Sequence, residues 1–227
     1  MKIGVLGTSM VGQTISGKLA ELGHQVMVGT RDVAATMSRT EPNPYGLPAF
    51  SNWIKQYPGI LVGNFANAAK HGELIINATN GTGTLSALQQ AGAENLNGKI
   101  LIDISNPLDF SKGNPPVLSV CNNDSLGEQI QRTYAQVKVV KTLNTVTSSL
   151  MVNPRQLADG EHTLFMSGND SAAKQQVIQY LQDWFGWRHI LDLGDITTAR
   201  GTEMYLPIWL RMWAALGTGL FNIQIMK

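Results

Sequence analysis

Six residues near the N-terminus, Gly7-Thr8-Ser9-Met10-Val11-Gly12, constrain the fold of this chain more than any other stretch. Before them stand Ile3, Val5 and Leu6, a short apolar run suited to a buried strand. After them Val11, Ile15, Leu19 and Leu22 recur at the spacing of an amphipathic helix. Gly23 stands where a helix C-cap glycine belongs, and Val26 to Val28 reads as a second strand. Strand, tight turn, helix and strand make a βαβ unit.

The turn has the outer glycines of the dinucleotide fingerprint GxGxxG, with Ser9 in the middle position. Gly7 permits the sharp turn, and Gly12 permits close packing of helix on strand. The middle residue must let backbone approach a pyrophosphate. Serine is small enough, and its hydroxyl can donate to a phosphate oxygen. The helix N-terminus adds free N–H groups and the positive end of the dipole. A βαβ unit without a ligand is the bland alternative, disfavoured by the placement of the turn between strand and helix. At the end of the second strand an acidic residue selects NAD and an arginine accommodates the 2′-phosphate of NADP. This chain has Gly29-Thr30-Arg31-Asp32. Thr30 can donate a hydrogen bond and Arg31 offers a fork suited to phosphate, which favours NADP(H) over a reading of Arg31 as a solvated loop charge. Asp32 lies past the strand end and reads as the N-cap of the next helix.

The length of 227 residues fits one large domain, or one domain with a small addition. A net charge of +1 gives no electrostatic reason to expect nucleic acid or a membrane surface as partner. Cys121 is the single cysteine, so an intramolecular disulfide and a cysteine metal cluster are excluded. The start of the chain lacks a signal-peptide pattern, and the apolar stretch Met204 to Leu216 is too short for a membrane span. The expectation is a cytoplasmic protein.

Downstream, strands and helices alternate. Residues 34–58 are punctuated by Pro42, Pro44, Pro48 and Pro58 and carry one short helix. Strands are expected at 60–62, 74–78, 99–104 and 137–140, with helices between them. Phe110 to Asn123 reads as a loop. A helix follows from Ser125 to Tyr134, with Asp124 or Ser125 as N-cap and Glu128 in the capping-box position. Beyond it come a strand at 162–166, a helix capped by Asn169 or Asp170 and ending near Trp184, a strand at 188–191, and a helical stretch from Asp195 to Leu216 interrupted by Pro207. This order predicts an α/β protein: a Rossmann-type doubly wound parallel sheet over residues 1–142, with a small, mostly helical C-terminal portion over 143–227 serving substrate binding and dimerisation. In such sheets ligands lie outside the carboxyl ends of the strands. Those ends are Gly7, Thr30, Thr79-Asn80, Asn106-Pro107 and Lys141 to Thr145, small and polar at one edge.

Four segments together resemble a known family: GTSMVGQTISGKLAELGHQVMVGTRD, LIDISNPLDF, VVKTLNTV and DLGDITTARGTEMYLPIWLRMW. They are similar to the NADPH-dependent coenzyme F420 reductases and to the cytosolic oxidoreductase domain of the six-transmembrane ferric reductases. The resemblance implies a homodimer that exchanges hydride between NADP(H) and a flavin-like ring, either coenzyme F420 or FMN/FAD. It implies pyrophosphate contacts at Thr8, Ser9, Met10 and Val11, and a 2′-phosphate site at Thr30 and Arg31. A lysine common four residues past that arginine is here Ala35. The resemblance places Thr79, Asn80 and Asn106 along the nicotinamide half. Asn144, Thr145, Val146 and Ser148 fall beneath the nicotinamide and the acceptor, and Phe221 beside the acceptor. Asn144 stands where archaeal members have histidine and ferric-reductase-like members have asparagine.

Hydride transfer between two such rings needs geometry more than acid–base groups. The chain accordingly shows no convincing dyad or triad. His24, His71, His162 and His189 are scattered, and Glu203 reads as a solvated helix residue. A reductase of small carbonyls or imines would want a proton donor such as Lys141 or Asn144. A third reading is an NADPH-binding redox sensor without turnover. The last helix has almost no polar face through Tyr205, Leu206, Ile208, Trp209, Met212, Trp213 and Leu216. It must be buried on more than one side, either inside the chain or in a dimer interface that also roofs the substrate pocket, and its aromatic and Met content favours the dimer.

Overall fold

A buried strand followed at once by the turn sets the frame. In the computed structural model, which describes residues 1–42 and 48–226, β1 (Lys2–Leu6) runs into Gly7 and α1 (Met10–Glu21). Gly7 takes φ +117°, a conformation that side-chain-bearing residues rarely adopt. Next come β2 (Gln25–Thr30), α2 (Val33–Ser38), the short α3 (Phe50–Trp53), β3 (Leu61–Asn64) and α4 (Phe65–His71). Pro44 lies outside the described residues. The second half of the nucleotide fold continues with β4 (Leu74–Asn77), α5 (Gly81–Ala91), α6 (Ala93–Leu96) and β5 (Ile100–Asp103). The stretch expected as a plain loop contains a two-stranded ribbon, β6 (Leu108–Asp109) antiparallel to β7 (Val117–Leu118). The chain then forms α7 (Leu126–Thr133), β8 (Lys138–Thr142), α8 (Ser148–Val152), β9 (Thr163–Gly168), α9 (Ser171–Tyr180), β10 (His189–Asp192), α10 (Ala199–Met204) and α11 (Leu206–Leu216).

The eight-stranded sheet has the order β10-β9-β8-β5-β4-β1-β2-β3. Its six strands from β8 to β3 are parallel, in the doubly wound order whose switch point lies between β1 and β4. β9 pairs antiparallel with β8, and β10 parallel with β9, so these two strands run against the rest. The parallel sheet expected over residues 1–142 is thus present in the six strands from β8 to β3; hydrophobic patterning marks β9 and β10 as strands but not their direction, which the connection sets. Residues after 142 thus add two strands to the same sheet.

Alternation along the strands divides the core between two faces. Val5, Val28, Ile76 and Val140 pack with Ile15 and Leu19 of α1 on one side. Leu6, Ile75, Leu101 and Val139 pack with Ala68, Leu88 and Ile130 on the other. Capping follows the sequence closely. Asp32 accepts from the Ala35 N–H at 2.9 Å, Ser125 caps α7 with Glu128 bonded back to it at 2.8 Å, and Asp170 caps α9. Asn169, the other cap candidate, instead accepts from the Ile196 N–H.

The helical stretch breaks at Tyr205, just before Pro207, as proline requires. The apolar α11 is not enclosed by its own chain: Ile208, Trp213 and Leu216 are exposed, at 56%, 42% and 59%. The tail after it is tied to the sheet edge. The Thr163 N–H donates to Ile223 O at 2.8 Å, and Asn222 Nδ2 donates to His162 Nδ1 and to Thr163 O. No helix among the described residues is long and apolar enough to cross a membrane.

Candidate functional site

The sharp turn at Gly7 brings the N-terminus of α1 to the carboxyl edge of the sheet at the switch point. Gly12 fits because its Cα stands against backbone: a Cβ there would lie 2.1 Å from the Gly7 carbonyl oxygen. Ser9 precedes the helix with extended backbone, and its side chain makes no cap hydrogen bond. Ser9 and Met10 are exposed. The helix N-terminus therefore offers N–H groups that its own capping residue does not use.

A cavity of about 510 Å³ opens beside this turn. Its wall includes Ser9, Val11, Thr79, Asn80, Ser105 and Asn106, so of the strand-end residues expected from the sequence it brings together Thr79, Asn80 and Asn106, while Gly7, Thr30, Pro107 and Lys141 to Thr145 do not line it. A second cavity of about 600 Å³ shares Ser9 and adds Thr8, Thr36 and Arg39. The turn thus lies between two hollows, and Arg31 lines neither. Sequence reasoning missed the part of the first wall made by Gly81, Thr82 and residues 108–111. The latter belong to the start of the ribbon, whose position over the sheet edge has no local sequence signal. Gly81 does carry one, a glycine opening a helix straight after a strand-end Asn. Its reason is contact: a Cβ at Gly81 would lie 1.9 Å from the Asn106 carbonyl oxygen.

At the end of β2, Arg31 is exposed and Asp32 is turned away to cap α2. The Thr30 hydroxyl is buried and bonded to the Thr36 hydroxyl at 2.7 Å, so it supports the strand end from within.

On the other side, Asn144, Thr145, Val146 and Ser148 are all buried. Asn144 Nδ2 donates to Asn106 Oδ1 at 3.0 Å and to Thr202 O at 3.3 Å, while Asn106 Nδ2 donates back to Asn144 O at 2.8 Å. Thr145 lines a separate apolar cavity of about 220 Å³ with Thr202, Tyr205 and Ile223. Val146 belongs to the hydrophobic core and Ser148 opens α8. Pro107 accepts from the Ser119 N–H at 2.8 Å and so anchors β7. Phe221 packs on Trp209 with ring centres 5.3 Å apart.

Below the first cavity lies a charged group that the sequence reading misjudged. Glu203 is 1% exposed rather than solvated. Its carboxylate meets Lys141 Nζ at 2.8 Å and accepts from the Leu126 and Gly127 N–H groups. Lys141 also meets Asp103 at 2.8 Å and donates to Ser105 O at 2.5 Å. Burial alone would depress the Lys141 ammonium. The two carboxylates more than offset it, and its pKa lies above the ordinary lysine value. A fully enclosed, charged lysine saturated with acceptors is not placed to donate a proton to a bound carbonyl.

Comparison with known proteins agrees with this geometry. Residues 2–107 match the model of the family described as NADP oxidoreductase, coenzyme F420-dependent. A crystal structure of a protein from Arthrobacter sp. FB24, described as an F420-dependent NADP-reductase, is 56% identical, with full coverage of both chains and a TM-score of 0.95. The rat metalloreductase STEAP3 is 26% identical over 225 residues, which span 97% of this chain but 40% of that protein. An imine reductase from Myxococcus stipitatus, solved with NADP+, shares the fold at 14% identity and a TM-score of 0.60, over 96% of this chain and 63% of its own. The turn, the sheet order and the full-length match to the Arthrobacter protein give one conclusion: the chain belongs to the family of coenzyme F420-dependent NADP oxidoreductases.

Proposed function

We propose that the protein passes hydride between NADP(H) and a planar, flavin-like acceptor, coenzyme F420 or a flavin. The observation that carries the reading is the cavity at the switch point, where Ser9, Val11, Thr79, Asn80 and Asn106 meet beside the uncapped start of α1. The turn Gly7 to Gly12 holds the pyrophosphate, with Thr8, Ser9, Met10 and Val11 facing it. Arg31, exposed and free of competition from Asp32, takes the 2′-phosphate together with the strand end at Thr30. Thr79, Asn80, Asn106 and Pro107 frame the nicotinamide half. When bound, NADPH supplies the hydride. The protein fixes the ring and excludes water, and no side chain need move a proton for that step.

Residues after 142 serve the acceptor and assembly in this reading. Asn144 backs the nicotinamide cavity through Asn106, with Val146 and Ser148 buried behind it; Thr145, on its separate cavity, and Phe221 lie toward the acceptor. The exposed apolar side of α11 is the face by which two copies pair, since Ile208, Trp213 and Leu216 otherwise stand in water. The sealed Lys141 argues against a carbonyl or imine reductase, which would call on it for a proton.

Two measurements test this. Arg31→Ala should weaken NADPH binding by about 10- to 100-fold, the worth of a charged hydrogen bond, and leave NADH nearly unchanged. Equal losses for both would refute the 2′-phosphate site. Mixing NADPH with F420, FMN, FAD or a ferric chelate and following nicotinamide absorbance tests the acceptor class. Tight NADPH binding without turnover on any of them would refute the oxidoreductase reading and leave a sensor.

A further inference from the structure

Two polar lines run from α10 to the rim of the nicotinamide cavity, and they start at consecutive residues. The first begins at Glu203, which is gripped by Lys141 and by the Leu126 and Gly127 N–H groups. Lys141 reaches Asp103 Oδ2 and the Ser105 carbonyl. The other oxygen of Asp103 accepts from the Ser105 hydroxyl at 2.7 Å and from Asn77 Nδ2 at 2.7 Å. Asn77 Oδ1 in turn accepts from the Thr79 hydroxyl at 2.7 Å. The second line begins at the Thr202 carbonyl, which accepts from Asn144, and Asn144 clasps Asn106. Thr79, Ser105 and Asn106, where the lines end, all line the cavity. Lys141, Asp103, Asn77 and Glu203 are buried.

Burial of three ionisable groups is costly unless every one is paired. A hydrophobic filling would hold the strands together as well, so the network is poorly explained as a source of stability. It does something an apolar core cannot: each link fixes a direction and a distance. We propose that α10 is the positioning element of the nicotinamide half. Glu203 acts through Lys141 and Asp103 on Ser105 and Thr79, and the Thr202 carbonyl acts through Asn144 on Asn106. This rests on the assignment of the cavity to NADP(H). It adds that Lys141, Asp103 and Glu203 touch neither cofactor nor substrate and act only through the rim.

The test separates the two halves of the cofactor. Glu203→Gln keeps the shape and leaves Lys141 paired with Asp103. Asp103→Asn keeps the shape and leaves Lys141 paired with Glu203. Each is titrated with NADPH and with 2′,5′-ADP, which occupies only the adenosine side. The expected result is NADPH binding weakened by about tenfold, with altered nicotinamide emission, and 2′,5′-ADP affinity within about twofold of the wild type. Equal losses for both ligands, or no loss for either, would overturn the proposal in favour of a purely structural role. A wild type that fails to bind 2′,5′-ADP or NADPH would instead sink the cofactor assignment beneath it. Should neither variant fold, hydrogen exchange on the wild type decides. NADPH should slow exchange in residues 199–204 and 2′,5′-ADP should not, and the same protection from both ligands would overturn the coupling.

Discussion

Gly81→Ala is the substitution that most directly probes how tightly the rim is built. The first residue of α5 stands so close to the Asn106-Pro107 peptide that a Cβ would lie 1.9 Å from Asn106 O, 2.6 Å from its carbonyl carbon and 2.8 Å from Pro107 Cα. An ordinary carbon-to-oxygen contact is about 3.3 Å, so helix and rim must separate by roughly 1.4 Å. The obstacle is backbone on both sides, and no rotamer change relieves it. Overpacking of this kind costs about 1–3 kcal/mol, and at this chain length each kcal/mol lowers Tm by about 2–4 °C. The functional loss should be larger. Displacing Asn106 by about 1 Å moves a residue proposed to frame the nicotinamide ring, for which a loss of about 100-fold in kcat/KM is the expected scale. Gly201→Ala is the control. It lies in α10 with nothing within 4 Å of a Cβ, so it should gain about 0.5–1 kcal/mol from the lower entropy of the unfolded chain. Differential scanning fluorimetry and steady-state kinetics on both variants decide the matter. A Gly81→Ala protein with native Tm and native NADPH affinity would refute the close approach of α5 to Asn106 and the role assigned to the rim.

Two further outcomes follow from the contacts of the C-terminal part. Arg200 donates to both oxygens of Glu128 and ties α10 to α7; that hydrogen bond, opposed in part by burial, holds the Glu128 carboxyl below its ordinary value of 4.5. A depressed carboxyl pKa stabilises the fold above the unfolded value, and the contribution is lost as pH falls through the folded value. Arg200→Met should therefore lower Tm at pH 7 and have a vanishing effect in acid below the depressed value; an equal effect at both would show that lost packing, not charge, is responsible. Ile208→Glu places a charge on the exposed apolar side of α11: the wild type should sediment as the proposed dimer and the variant as a monomer. An unchanged sedimentation coefficient would remove α11 from the interface.

What could be read from the sequence was what short-range chemistry decides. The turn at Gly7 to Gly12, the Asp32, Ser125 and Asp170 caps, and the strand ends at Thr79 and Asn106 each follow from residues a few positions apart. Glu203 was illegible for the opposite reason. A lone glutamate on a helix is normally solvated, and its partners Lys141 and Leu126 come from a strand and a helix far back in the chain. The reversed direction of β9 and β10 depends on a connection whose path has no residue signature. α11 was legible as apolar, yet a single chain does not cover it.

Asn144 stands between the cavity rim and α10. The NH2 group of an asparagine supplies two hydrogens from one nitrogen, and here they go to Asn106 Oδ1 and the Thr202 carbonyl. A histidine ring offers at most one hydrogen per nitrogen, and the two point apart. It could hold Asn106 or the Thr202 carbonyl from a given atom but not both. Asparagine at 144 is therefore matched to Asn106 on one side and to α10 on the other, and replacing it with the archaeal histidine would open the second polar line to the rim. Residue 144 in this chain ties the two, which fits the proposed hydride step, one that asks the protein for placement and not for a proton.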